Sequence, residues 1–240
     1  MANLVQLRML EDLNGIVLVD KPAGIAFTSV VKAVKRKFNL VKVGHGGSLD
    51  AMASGLLVLL VNDANRKVEQ IMGADRSYAG TMRMGLKTNT HDIHGEKIGG
   101  SDPSCAGEAL ESALKEFKGD IFQREPRFCS VRREGSAGYE IADTGEHADF
   151  LSHVYRIRLT REDASLCRVG FEISCTKSLI VRTLVNDFGD VVGCGACLES
   201  LRRTRIGNLD VSQAIAFDKL LETEIRDFPG CVLPLTKALP

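Results

Sequence analysis

The chain concentrates its chemistry in one segment, Gly44-His45-Gly46-Gly47-Ser48-Leu49-Asp50-Ala51-Met52-Ala53-Ser54-Gly55. The glycines at 44, 46 and 47 rule out a helix or strand interior and let backbone approach a ligand closely. Asp50 at the end of such a loop can be a nucleophile or a general base. It can equally cap the element that follows, and spacing alone leaves both readings open. A second pattern, Cys194-Gly195-Ala196-Cys197, has the spacing of a metal or redox pair. Zinc takes four ligands, and no second pair has matching spacing, so this segment reads as packed small residues.

These residues need elements to hold them. Gly15–Val19 is a β-branched run ending at the turn Asp20-Lys21-Pro22-Ala23-Gly24, which predicts a strand running into a tight loop. A helix capped by Thr28 or Ser29 follows, with Val30, Val31, Val34 and Phe38 on one face and Lys32, Lys35, Arg36 and Lys37 on the other. Gly55–Val61 reads as a buried strand leaving the glycine loop. Tyr78–Met84 reads as another strand, with a polar loop after it to about Ser104. Leu110, Leu114 and Phe117 predict a surface helix ending at Gly119.

Between Gln123 and Phe150 the periodicity dissolves. Arg124, Arg127, Arg132 and Arg133 are followed by Glu134, Glu140, Asp143, Glu146 and Asp149, which reads as an excursion from the core. Val169, Phe171 and Ile173 alternate with polar or small residues as in a half-buried strand. Helices are predicted over Ser178–Phe188, stopped by Gly189, and over Ser212–Leu221, capped by Ser212. Strands and helices mixed in this order point to an α+β, or mixed α/β, fold.

Composition bounds the function. The 240 residues fit one domain, and 44% hydrophobic with 26% charged residues is the make-up of a globular chain rather than a disordered one. With 31 basic against 31 acidic residues, any polyanion must be met by local patches. The weakly polar run Ala51–Val61 is too short for a bilayer span, and Met1–Asp12 lacks the pattern of a signal peptide. Seven cysteines are an odd number for a disulfide framework and read as reduced thiols. The expectation is a cytoplasmic monomer with no membrane association.

The glycine loop resembles the catalytic motif G-H-x-G-x-L-D-x-x-A-x-G of the TruB family of pseudouridine synthases, with every specified position filled. Other blocks follow in unbroken order. Gly15-Ile16-Val17-Leu18-Val19-Asp20-Lys21-Pro22-Ala23-Gly24 is similar to the family's first motif, and Asp75-Arg76-Ser77-Tyr78 resembles its K-x-Y segment with Arg for Lys. Thr88-x-Thr90-x-Asp92-x-x-Gly95, Phe117-x-Gly119 and Gln123-x-x-Pro126 match later blocks. Cys175-Thr176-Lys177 with Arg182-Thr183-Leu184, and Leu201-Arg202-Arg203-Thr204-x-x-Gly207, match the closing ones. Seven ordered motifs are far more specific than one.

The resemblance implies a pseudouridine synthase fold over residues 1–240. A mainly antiparallel mixed central sheet would be flanked by helices, with a thumb-like insertion at about 123–150 and no C-terminal PUA domain. It implies the isomerisation of uridine to pseudouridine at position 55 in the T-arm of tRNA, without metal or cofactor. Asp50 would be the essential aspartate, Arg182 the cation that keeps a buried Asp50 ionised, and Tyr78 the residue stacked on the flipped base. His45 would occupy the space the base vacates and Lys21 would support the loop. Gly44, Gly47, Leu49, Ile180 and Leu201 would line the substrate pocket. RNA phosphates would meet Lys32, Lys35, Arg36, Arg127, Arg132, Arg202 and Arg203.

The family's K-G-T-Y-I-R is here Lys177-Ser178-Leu179-Ile180-Val181-Arg182, its P-P is Glu125-Pro126, and its S-A-x-K is Cys129-Ser130-Val131-Arg132. The aromatic hydroxyl lost at Ile180, together with the absent PUA domain, motivates an alternative reading, a tRNA-binding folding chaperone with weak or no isomerase activity.

Overall fold

The two apolar runs on either side of the glycine loop pair antiparallel, with Gly15 opposite Val61 and Lys21 opposite Gly55. This register brings the turn after the first run to the loop before the second. A computed structural model of the chain describes residues 10, 12–103, 106–131, 139–145, 147–163 and 167–237. In chain order the first elements are β1 (Gly15–Lys21), α1 (Phe27–Lys37), β2 (Val43–His45), β3 (Ser54–Val61), α2 (Val68–Met72), β4 (Arg76–Met84), β5 (Lys87–Thr88) and β6 (Lys97–Gly99). There follow α3 (Ala106–Ala113), β7 (Gly119–Gln123), β8 (Phe128–Val131), β9 (Glu140–Asp143), β10 (Phe150–Asp163) and β11 (Arg168–Cys175). The last are α4 (Val181–Val192), β12 (Ala196–Ile206), β13 (Leu209–Asp210), β14 (Ile215–Ala216) and α5 (Phe217–Glu222).

The chain divides into two compact units, Met1–Ala74 with Arg203–Pro240, and Asp75–Arg202. In the first, β1 pairs with β3 on one side and, in parallel, with β14 on the other, while β2 adds to β3. Both faces of this sheet are covered. Val17, Val19, Leu57, Leu59 and Val61 pack under Val30 and Val34 of α1, Phe38 at its C-cap, and Phe217 and Leu220 of α5. The alternate residues Ile16, Leu18, Leu56, Val58 and Leu60 pack with Ile71, Ile206 and Leu209. Burial on both faces explains why these strands read as continuous apolar runs rather than as alternation.

In the second unit β4, β11, β10 and β7 pair antiparallel in that order. The segment after β7 leaves this sheet, and β8 and β9 pair with each other, Phe128 opposite Asp143. The α+β class and the mainly antiparallel mixed sheet agree with expectation. Among the described residues no helix is long and apolar enough to cross a membrane.

Element boundaries differ from the sequence reading at several points, α4 for one beginning at Val181 and not at Ser178. The N-cap of α1 is Ala26, without a side-chain cap, so Thr28 and Ser29 lie inside the first turn. Helix α4 passes through Gly189, where Ala196 packs too close for any side chain, and stops at Gly193, whose φ of +92° is the left-handed terminus. In place of a helix over 212–221, Asp210 and Gln213 form a capping box on a short turn, and α5 begins at Phe217.

Candidate active site

The first unit carries the glycine loop with Asp50 exposed at its end. The expectation of a buried carboxylate is corrected, since Asp50 is exposed. The loop is held from beneath by two buried cations. Lys21, at the end of β1, is 0% exposed, and its ammonium donates to the carbonyls of Ile25 at 2.8 Å, Pro22 at 2.9 Å and Ala51 at 3.3 Å. Burial pushes its pKa down to about 8, opposed by the charge of Asp50 and reinforced by that of Arg203. The donors of Lys21 are thus spent on backbone carbonyls of the turn and of the loop.

Arg203 is also 0% exposed. It donates to the carbonyls of Ser48 at 2.7 Å, Leu56 at 2.8 Å and Gly47 at 3.3 Å. Its backbone passes so close to Gly55 that a Cβ there would strike its carbonyl oxygen, and Gly55 sits at a φ of +101°. Both observations require glycine as the last residue of the motif. The expectation that Arg203 meets RNA phosphate is corrected, since a guanidinium enclosed in protein and occupied by three carbonyls presents no donor to a polyanion.

Gly47 and Leu49 are buried in the loop, whereas Gly44 is half-buried in β2 opposite Leu60, so the reading of the whole segment as loop is corrected at Gly44 and His45, where backbone pairing with β3 overrides the glycine content. His45 is half-buried, accepts from the Gly47 N–H at 3.3 Å on Nδ1, and packs edge-on against Phe27 with 4.8 Å between centroids. Burial, with the charge of Arg203 behind it, lowers its pKa and so favours the neutral imidazole.

The second unit carries the other expected participants. Tyr78 is buried on β4 opposite Ile173. Arg182 is buried in the first turn of α4, with a terminal nitrogen 3.5 Å from Glu125 Oε1. Ile180 is half-buried at the N-cap of α4, and its backbone is held from both sides by Gln123. The Ile180 N–H donates to Oε1 at 3.0 Å, and Nε2 donates to the Ile180 carbonyl at 3.1 Å. Leu201 is buried on β12. Gln123 was legible as part of a motif but not as this clamp, and Glu125, which stands where the family has proline, gave no sign of its contact to Arg182.

The basic residues separate. Lys32, Lys35 and Arg36 are exposed on α1. Arg127 is exposed, paired with Asp143 at 3.0 Å and placed 5.5 Å above the Phe128 ring. Arg202 is half-buried, and Arg132 lies outside the described residues. The Cys194–Cys197 segment is a packed crossing. Both cysteines are buried, Gly85 N–H donates to the Gly195 carbonyl at 2.8 Å, and burial raises both thiol pKa values.

The site so described is an exposed carboxylate at the end of a glycine loop carried on a mixed sheet. Among solved structures the chain superposes with a TM-score of 0.71 at 25% identity on a chain of the Cbf5–Nop10–Gar1 complex. The match takes in 97% of this chain and 63% of that one, so the present chain spans less than two thirds of its solved relative. A model of the TruB family pseudouridylate synthase N-terminal domain matches residues 35–181, and one of the tRNA pseudouridylate synthase B C-terminal domain matches 182–239. tRNA pseudouridine synthase B of Burkholderia pseudomallei is 37% identical over 209 residues, covering 87% of this chain and 69% of that protein. Its namesake in Pseudomonas aeruginosa is 36% identical over 220 residues, covering 89% and 70%. The chain belongs to the TruB family, and with it to the isomerases that convert uridine in RNA to pseudouridine.

Proposed function

We propose that this enzyme modifies the T-arm uridine of tRNA conventionally numbered 55, with Asp50 as nucleophile or base. The supporting observation is the exposed Asp50 carboxylate on a loop anchored by Lys21 and Arg203. The reaction breaks the N1–C1′ bond, turns the uracil and joins C5 to C1′, with a proton leaving C5 and one arriving at N1. It is redox-neutral, and a fixed anion beside the sugar and base is the group it calls for.

In this reading Tyr78 stacks on the flipped base, Arg182 supplies the positive charge the reaction needs, and His45 fills the place the base leaves. Ile180 and Leu201 give the base apolar contact. Phosphates are met by Lys32, Lys35, Arg36, Arg127, Arg132 and Arg202. The tRNA substrate is supported by the names of the bacterial relatives and the T-arm site by the ordered motifs.

Carbodiimide mapping of RNA from cells with and without the gene tests the site, and a T-arm stem-loop tests the footprint. The stem-loop is expected to be modified within about tenfold of whole tRNA at matched ionic strength. A preference for whole tRNA above about a hundredfold, roughly 2.7 kcal/mol, requires a contact beyond the T-arm. Binding without conversion would favour the RNA-folding reading instead.

A further inference from the structure

We infer that Arg203 is the positioning residue of the Asp50 loop, setting where the carboxylate stands although it never touches substrate. This rests on the reading of Asp50 as the reacting group. The carbonyls Arg203 holds, those of Gly47, Ser48 and Leu56, lie on both sides of Asp50 in the chain. Lys21 takes the carbonyl of Ala51, immediately after it. Arg203 reaches its three carbonyls through three different nitrogens, Nε, Nη1 and Nη2, spread over a planar fork, whereas an ammonium serves three only where they converge on one nitrogen, as around Lys21. Removing the guanidinium leaves buried carbonyls without a donor, and such groups are costly enough to shift a loop that is otherwise tied mainly through its backbone.

The neighbouring arginines are not equivalent to it. Leu201, Arg203 and Ile206 are buried along β12, while Arg202 and Thr204 are half-buried and Arg205 is exposed beside Asp210. One strand thus separates an arginine that serves the loop from arginines that face outward.

The test uses Arg203→Lys, which keeps charge but one nitrogen, and Arg203→Gln, which keeps amide donors but no charge. Single-turnover conversion of a T-arm stem-loop should fall at least about tenfold in both, the cost of one or two buried carbonyls left unsatisfied. RNA affinity should stay within about threefold, and its dependence on salt should not change. Hydrogen exchange at the amides of Gly46–Ala53 should quicken while that of β4 and β11 does not.

Unchanged conversion by a folded variant overturns the inference. So does an unchanged rate with weaker binding and a salt slope reduced by about 0.7, which would make Arg203 a phosphate contact after all. Full activity in Arg203→Lys overturns it by showing that charge suffices without the fork, and failure of both variants to fold overturns it by making Arg203 a core residue with no separate duty to the loop. The exchange readout needs no catalysis. If the unaltered protein forms no pseudouridine the proposed function falls, and the exchange data still decide the role of Arg203.

Discussion

Two regions of the molecule use cations in opposite ways. In the Asp50 loop the cations are fully buried and hold main-chain carbonyls, as Lys21 and Arg203 do. Among the described residues of the Gln123–Phe150 insertion, Arg124 and Arg127 are exposed and hold carboxylates. Arg124 pairs with Asp149 at 2.7 Å, and Arg127 meets Asp143 through two nitrogens.

A carbonyl takes a hydrogen bond without cancelling charge, so the loop keeps its net positive floor and depends on each bond, because a buried acceptor stranded by mutation is costly. A surface ion pair contributes little and is screened by salt, so its carboxylate can give way to a phosphate. Two acids of the run that ends the insertion, Asp143 and Asp149, are the partners of arginines that precede them. The same residue type builds a rigid site in one place and an exchangeable surface in the other.

The largest break in this comparison is at the loop's own carboxylate. Asp50→Asn should reduce pseudouridine formation about 10³-fold or more, while tRNA binding stays within about tenfold. Single-turnover assays with binding measured alongside check it, and turnover near that of the unaltered enzyme would remove Asp50 from the chemistry.

Next in size is the pH dependence of stability that comes with burying Lys21. Its folded pKa, about 8, lies below the ordinary lysine value of 10.5, so between those pH values the unfolded chain holds the extra proton and stability rises with pH. The gain is at most about 3 kcal/mol across that window. Buried Cys175 and Cys197, their pKa values pushed up to about 12, work in the opposite direction as pH climbs. The quantity to measure is therefore the difference in denaturant stability between the unaltered protein and Lys21→Met, from pH 7.5 to 10. A difference that does not grow with pH would show that Lys21 keeps its proton throughout.

That buried cations carry the loop was only partly legible in the sequence. The class of fold, the strands around the loop and the amphipathic α1 could be read because apolar period and turn residues reflect local physics. Helix ends were read less well. Gly189 looks like a stop and is instead a contact with Ala196, information that resides in tertiary packing. Arg203 reads locally as one of two adjacent arginines, although a signal is present. In Leu201-Arg202-Arg203-Thr204 the period of a strand puts Arg203 on the side of buried Leu201 and Arg202 on the other. Nothing local distinguished Glu125, because its partner Arg182 lies 57 residues away.

Arg182 lies between the two regimes, being buried like the loop cations yet paired with a carboxylate of the insertion. Arg182→Ala should cost about 10²-fold in conversion, and Arg182→Lys nearly as much if the fork geometry matters. Glu125→Gln should cost far less, since Glu125 is half-buried and 3.5 Å away. Comparable losses at Glu125 and Arg182 would make that pair, and not the arginine, the functional unit. Melting temperatures of each variant separate these effects from a loss of fold.

The smallest effects sharpen the contrast at the insertion surface. Arg127→Gln should weaken tRNA binding by up to about tenfold and lower the slope of log K against log salt by about 0.7, the contribution of one phosphate contact. Asp143→Asn removes the carboxylate that holds Arg127 through two nitrogens, so the same binding should tighten by about threefold at low salt, with the gain vanishing as salt screens both states. The two changes have opposite signs because phosphate and Asp143 compete for one guanidinium. The double variant should therefore bind no tighter than Arg127→Gln alone. If Asp143→Asn instead weakened binding as much as Arg127→Gln does, the ion pair would be part of the RNA-binding geometry, and the insertion would resemble the loop in needing its cation fixed.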